Sequence, residues 1–226
     1  MSWPWESKAA VDARFYAQIP TAFTVTRADT WRGPGFKVNN LDNGAARMRV
    51  QTETADSGNG NLRSLVLLDD ATHGQIAAVK ESRLGITRQR QWEAFRGRGG
   101  GESGTDRLFV AVDKTGLVQS GITVHVFLDG VNSSGDRVPD FVVQGSFYHG
   151  AMTVSRGGVT GGDAIALIQN DSGLYDTLIG FHHSYTAWIN REVDQAFVLA
   201  LAVILDQMYT SSYNGRYCDH SSDRRW

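Results

Sequence analysis

Cysteine is almost absent from this chain, since Cys218 is the only one among 226 residues. One cysteine cannot form an intramolecular disulfide, and this usage favours a reducing compartment. The first residues, Met-Ser-Trp-Pro-Trp-Glu-Ser-Lys, lack an apolar signal core. No apolar run approaches the roughly 18 residues that a membrane span requires. We therefore expect a soluble, intracellular, cytoplasmic protein without a transmembrane segment, and peripheral attachment to a membrane stays open.

The sequence also lacks the usual patterns of catalysis. Ser172 lies in an Asp-Ser-Gly segment that faintly resembles a serine protease, but no arrangement of His and Asp partners supports a nucleophile. The glycine-rich segment Gly97–Gly104 has no Lys-Ser/Thr end to complete a phosphate-binding loop. His182 and His183 are adjacent, so in a strand they would point to opposite faces and not share a metal. We expect no catalytic residue, no metal and no cofactor, although an enzyme with a pocket in its loops stays open.

Short runs that alternate apolar with polar residues recur along the chain. From Ile122 to Val126, for example, every second residue is apolar, as in a strand with one buried face. Turn sequences such as Asp42-Asn43-Gly44 separate the runs, because glycine supplies the backbone conformation of a tight turn. This pattern predicts a mainly β barrel or sandwich. The predicted strands are residues 23–27, 36–39, 46–51, 65–68, 76–80, 108–112, 122–128, 141–147, 151–155, 164–168 and 185–189.

One segment near the C-terminus breaks this pattern, because every residue from Ala196 to Leu205 is apolar. Asp194 precedes it and could accept the first free backbone N–H groups of a helix. Ten helical residues span about 15 Å, half of a ~30 Å hydrocarbon core, so burial in protein is favoured over burial in lipid. The sheet must then enclose the helix. We predict one barrel domain over residues 12–210, an N-terminal arm over residues 1–11 and a disordered tail over residues 211–226.

Several motifs stand in a fixed order along the chain. They are Asp12-Ala13-Arg14-Phe15, Leu65-Val66-Leu67-Leu68-Asp69, Gln91-Trp92-Glu93-Ala94-Phe95-Arg96-Gly97, Val143-Gln144-Gly145-Ser146-Phe147, Val193-Asp194-Gln195-Ala196-Phe197 and Val203-Ile204-Leu205-Asp206-Gln207. Together these motifs resemble the LURP-one-related (LOR) proteins of plants. The resemblance implies a tubby-C-terminal-like fold, a closed barrel of about twelve antiparallel strands around a buried C-terminal helix. Phospholipid scramblases are similar in the same way.

This resemblance also implies a function. Tubby domains bind phosphatidylinositol 4,5-bisphosphate through surface cations, and LOR proteins are linked to plant defence and stress. The implied function is a non-enzymatic binding module for an anionic phospholipid headgroup or a protein partner; no nucleic acid is expected, and the oligomeric state stays open. The alternative is an interaction scaffold without a lipid role. It is favoured by three segments that lack the family's usual cations: Gln169-Asn170-Asp171, His149-Gly150-Ala151-Met152 and Asp113-Lys114.

Charge is unevenly distributed although the net charge is only −2. Residues 80–98 contain six basic and two acidic residues, whereas residues 157–215 contain one basic and six acidic residues. Arginines bind phosphate through a planar fork of donors, so the basic segment is the candidate anion or lipid site. Ion pairing with nearby acidic strands is the alternative, and Trp92 and Phe95 are expected to pack in the core. The candidate residues are Lys80, Arg83, Arg88, Arg90, Arg96 and Arg98.

Overall fold

The computed structural model describes residues 10–30, 33–54, 63–84, 89–97, 106–116, 121–128, 138–146, 150–157, 162–171 and 184–217. Within these ranges, residues 29–30, 33–34, 53–54, 83–84, 89 and 210–217 are described by their backbone alone.

The described residues form a closed antiparallel barrel. Each strand pairs with its neighbour along the chain, and the last strand pairs with the first, where Thr24 lies opposite Thr186. The predicted twelve-stranded barrel is thereby confirmed. The strands are β1 (Thr21–Thr30), β2 (Gly33–Asn40), β3 (Ala46–Thr54), β4 (Arg63–Asp69), β5 (Gln75–Leu84), β6 (Gln89–Arg96), β7 (Arg107–Asp113), β8 (Ile122–Leu128), β9 (Phe141–Gly145), β10 (Ala151–Arg156), β11 (Ala164–Asn170) and β12 (Ser184–Ile189).

The predicted strand segments all fall on strands of the barrel. The segment 141–147 extends past the end of β9 at Gly145, and residue 147 lies outside the described residues. Strand β6 is absent from the predicted set. Its inward positions include Arg90 beside Trp92 and Ala94, so the strand has no simple alternation of apolar and polar residues. Because Arg90 occupies an inward position, the alternation of apolar and polar residues did not predict β6.

The helix α1 (Gln195–Tyr217) runs through the barrel, as predicted. Every side chain from Ala196 to Leu205 is buried. The ring of Phe197 lies 5.2 Å from that of Phe109 and 4.8 Å from that of Phe141, centroid to centroid. The helix includes residues 211–217, which the sequence assigned to the tail, and residues 218–226 lie outside the described residues. The domain boundaries stay a prediction.

No helix in the described part of the chain is both long enough and apolar enough to cross a membrane.

Asp194 connects the start of α1 to the N-terminal segment. Its Oδ1 accepts the backbone N–H of Phe197 at 3.3 Å, which confirms the predicted helix cap. Its Oδ2 accepts the backbone N–H groups of Val11 at 2.7 Å and Asp12 at 3.0 Å. Burial raises the pKa of the Asp194 carboxyl, and the backbone N–H groups that donate to it oppose that shift. One carboxylate thus stabilises both the helix start and the adjoining chain.

Replacing Leu201 with aspartate tests the buried helix, because Leu201 is fully inaccessible to solvent. The Leu201→Asp variant should lose at least about 3 kcal/mol of free energy of unfolding, since an unpaired charge would lie among apolar side chains. Chemical denaturation measures the loss. Ile19→Asp is the control, because Ile19 is 69% exposed and should tolerate the same change. Equal stability of the two variants would contradict the central-helix arrangement.

Asp194 also predicts a pH dependence. Because the folded state raises its pKa above the ordinary value of 3.8, the folded chain binds this proton more tightly than the unfolded chain. The resulting stabilisation is present below pH 3.8 and is lost as pH rises through the folded pKa. Wild type should therefore gain stability relative to Asp194→Asn as the solution is acidified from neutral pH, as measured by denaturation at several pH values.

Asp12→Asn provides a control, because the pH dependence of its stability relative to wild type should have the opposite sign. The side-chain hydrogen bond from Arg14 is the largest effect on Asp12 and lowers its pKa below 3.8. Its stabilisation is present above pH 3.8 and is lost as pH falls through the folded pKa. Wild type should therefore lose stability relative to Asp12→Asn on acidification. For each variant, the difference in free energy of unfolding from wild type is plotted against pH. If both differences changed in the same direction on acidification, burial of Asp194 would not govern its titration.

Candidate arginine site at the barrel mouth

Three arginines converge where α1 leaves the barrel, and we call Arg27, Arg63 and Arg90 the arginine mouth. They come from β1, β4 and β6. The Nη2 atom of Arg27 lies 3.0 Å from the Oδ2 atom of Asp206 on the helix. The Nη1 atom of Arg63 donates to the Oε1 atom of Gln207 at 3.0 Å, and that of Arg90 donates to the backbone oxygen of Met208 at 2.8 Å. The three guanidinium groups therefore surround one short stretch of α1.

The strand period explains why these arginines reach the helix. Arg27 follows Phe23 and Val25 at every second position of β1, and both of those residues are buried in the core. Arg90 likewise precedes Trp92 and Ala94, which belong to the same core. Each arginine occupies an inward position; Arg63 and Arg90 lie at the start of their strands, and Arg27 lies three residues before the end of β1. A long side chain there can keep its stem against the core and its charge near the opening.

Two carboxylates offset part of this positive charge. Asp206 is fully buried, and its Oδ1 atom accepts the hydroxyl of Tyr185 at 2.6 Å. Glu81 of β5 is also buried, and its Oε1 atom lies 3.9 Å from the Nε atom of Arg90. Among the described side chains, the three guanidinium groups therefore share the opening with Asp206, Glu81 and, on the neighbouring β7, Asp113.

Arg63 shows the electrostatic consequence of this crowding. Burial is the largest effect and lowers the pKa of its guanidinium; Arg90 and Arg27 lower it further, while Glu81 and Asp206 oppose the shift. An additional anion near Arg63 would favour its charged form. The mouth is therefore chemically suited to accept a negative group.

The strand next to that of Arg90 adds neutral and acidic groups to the same opening. Asp113 ends β7, which pairs with β6 through Val112 and Gln91. The hydroxyl of Tyr209 on α1 donates to the Oδ1 atom of Asp113 at 3.3 Å and lies 3.1 Å from the Oγ1 atom of Thr115. A third carboxylate therefore lies at the opening, on the side of β6.

The structure separates the candidate cations of the basic segment. Arg90 points inward at the mouth, whereas Lys80 lies on the outer face, with its Nζ atom 5.8 Å from the centre of the Phe95 ring. Arg96 is exposed at the other end of β6, where its charge contributes to lowering the pKa of Asp12. These three cations do not form one cluster.

The remaining candidates are described only in part. Arg83 is the Cα partner of Arg90 in the β5–β6 ladder, and its side chain lies outside the described set. Arg88 and Arg98 both lie outside the described residues. The sequence analysis missed Arg27 and Arg63. Each lies two residues from an inward apolar residue of its strand, Val25 or Leu65, so the alternation of the strand could have identified it.

The two aromatic residues of this segment have different positions. Trp92 is buried in the core, as expected. Phe95 is half-buried on the outer face beneath Lys80. Neither lies within the arginine mouth.

Removing the carboxylate of Asp206 tests its importance to the mouth. Asp206→Ala should lower the free energy of unfolding by about 3–5 kcal/mol, because it removes the acidic partner of Arg27. Tyr185→Phe removes only one hydrogen bond to the same carboxylate and should cost about 1–3 kcal/mol. Chemical denaturation compares the two variants. A loss for Asp206→Ala no larger than that for Tyr185→Phe would contradict this account of the ion pair.

Comparison with known proteins gives one match. The family model described as LURP-one-related (LOR) matches residues 21–206, which span β1 through the part of α1 that carries Asp206. No curated protein matches the chain, and no solved structure does. The family match covers most of the chain and includes the barrel strands and the buried part of the helix. The chain therefore belongs to the LURP-one-related (LOR) family.

Proposed function

We propose that this LOR protein is a non-enzymatic binding module whose arginine mouth holds the phosphate groups of an anionic phospholipid headgroup. One observation carries the proposal: Arg27, Arg63 and Arg90 converge from three strands on the open end of the barrel.

The chemistry of the mouth matches a phosphorylated headgroup. A guanidinium presents several N–H donors in one plane and can bind two phosphate oxygens at once. The side chain of Arg27 is 27% exposed and that of Arg90 is 34% exposed, so a ligand at the opening can reach both. Their existing bonds to α1 hold the guanidinium groups in place, which reduces the entropy lost on binding.

A binding role also agrees with the way the barrel is filled. The buried side chains of α1 occupy its interior, so the described residues offer a ligand the rim of the mouth rather than a central chamber. The resemblance to LOR and tubby proteins supports a phosphoinositide ligand, a place at a cytoplasmic membrane surface and a role in plant stress or defence. These finer assignments are part of the proposal.

Vesicle co-sedimentation tests lipid binding. Wild type should pellet with phosphatidylcholine vesicles that contain phosphatidylinositol 4,5-bisphosphate, and added salt should weaken the binding because it screens charge. Arg63→Gln/Arg90→Gln should reduce the affinity by about tenfold or more, since two phosphate-binding cations are lost. Binding to phosphatidylcholine alone, measured in parallel, separates headgroup recognition from adsorption.

Arg49→Gln/Arg47→Gln is the matched control, because it removes the same charge from β3 and leaves the mouth intact. Melting temperatures establish that all proteins are folded. Absence of pelleting by wild type would refute lipid binding, and an equal loss in the control pair would refute the specific role of the mouth.

A protein-interaction scaffold without a lipid role is the second candidate. Trp188 is 40% exposed on β12, and its Cα partners are Ala22 on β1 and Leu167 on β11. A closed barrel offers no free strand edge, so a protein partner would have to bind through such outward side chains. If wild type fails to bind the vesicles, this scaffold role becomes the favoured function.

A further inference from the structure

A groove of about 380 Å³ lies at the end of the barrel opposite the arginine mouth. The β10–β11 hairpin forms one wall, and the connection from β12 to α1 forms the other. Pro20, Ile165 and Val193 contribute apolar surface to it. This volume lies within the range of small-molecule sites.

Backbone hydrogen bonds fix both walls of the groove. The backbone N–H of Arg156 donates to the oxygen of Asp163 at 2.9 Å. Asn190 joins the walls, because its backbone N–H donates to the oxygen of Ile165 at 3.0 Å and its side chain donates to the oxygen of Ala164 at 2.9 Å. Hydrogen bonds to the backbone of the barrel therefore hold the two walls of the groove in place.

Four charged side chains line this groove. Arg156 and Arg191 are cationic, and Asp163 and Glu192 are anionic. None of the four side chains forms a hydrogen bond or ion pair with another residue in the described part of the chain. The groove thus presents two charges of each sign that have no partner among the described residues and can interact with a ligand.

Arg156 distinguishes the groove from an ordinary charged surface. Its Nε atom is buried and has no hydrogen-bond acceptor. The Nε atoms of Arg27, Arg49 and Arg107 are likewise buried without a hydrogen-bond acceptor, but each of those arginines lies within 4.0 Å of a carboxylate. A buried donor left unpaired costs about 1–3 kcal/mol, so an incoming acceptor would relieve that cost.

We propose that this groove binds a small zwitterion that has an apolar body, such as an apolar amino acid. Arg156 and Arg191 receive its carboxylate, while Asp163 and Glu192 receive its ammonium group. Pro20, Ile165 and Val193 contact the apolar part. A phosphate dianion is a poorer match, because the two carboxylates would repel it as strongly as the two arginines attract it. This site is separate from the proposed lipid site.

Saturation-transfer NMR with three related probes tests the proposal on the full chain. L-leucine has both charged groups, isocaproate lacks the ammonium and isoamylamine lacks the carboxylate, while all three share the same branched apolar end. L-leucine should bind at millimolar concentration and more tightly than either analogue. Arg156→Gln should weaken L-leucine binding by about tenfold, since an amide retains polarity without the positive charge.

Two further variants make the outcome specific. Asp163→Asn should weaken L-leucine but not isocaproate, which loses a repelling charge, whereas Lys37→Gln, an exposed change on β2 outside the groove, should alter neither. Melting curves verify folding of each variant. The proposal is overturned if L-leucine does not bind, if isocaproate binds as tightly, or if a folded Arg156→Gln protein retains wild-type affinity.

Discussion

Mutual burial of the helix and the sheet is the constraint on which the rest of this structure depends. A helix that is apolar on every side has no stable position in water, and a barrel this wide needs something to fill it. The ten apolar residues from Ala196 to Leu205 meet both needs, because the inward side chains of the strands pack around them. Neither part would be expected to persist alone. This dependence also explains why packed side chains of the helix and the strands occupy the described interior.

The two ends of the buried part of the helix pose a different problem, because polar backbone and charged side chains meet the core there. At one end Asp194 accepts three backbone N–H groups. At the other end the arginine mouth bonds to Asp206, Gln207 and Met208. The cations that hold the helix exit are also those of the proposed lipid site. The structural role and the proposed binding role therefore share these residues, so substitutions that retain hydrogen bonding are the informative ones.

The sequence predicted the features that follow a simple period. The alternating runs identified the strands other than β6, and the uniform apolar run with Asp194 identified the helix and its cap. It did not predict where the charges meet, because position along the chain does not show which cations share one face and one end of the barrel. Lys80 and Arg90 are close in sequence yet lie on opposite faces, whereas Arg27 and Arg63 come from distant strands. Such a cluster depends on barrel closure, which no local pattern contains.

The pairing of β1 with β12 has a consequence for synthesis on the ribosome. The first strand cannot complete its pairing until the last strand has been synthesised, and the central helix follows that last strand in the chain. Contacts so distant in sequence carry a large loop-closure cost and slow folding. During translation, the inward faces of the early strands have no helix to cover them. Premature termination before Gln195 would therefore leave an open apolar sheet rather than a shortened barrel, and such a fragment would require chaperone binding or degradation to avoid aggregation.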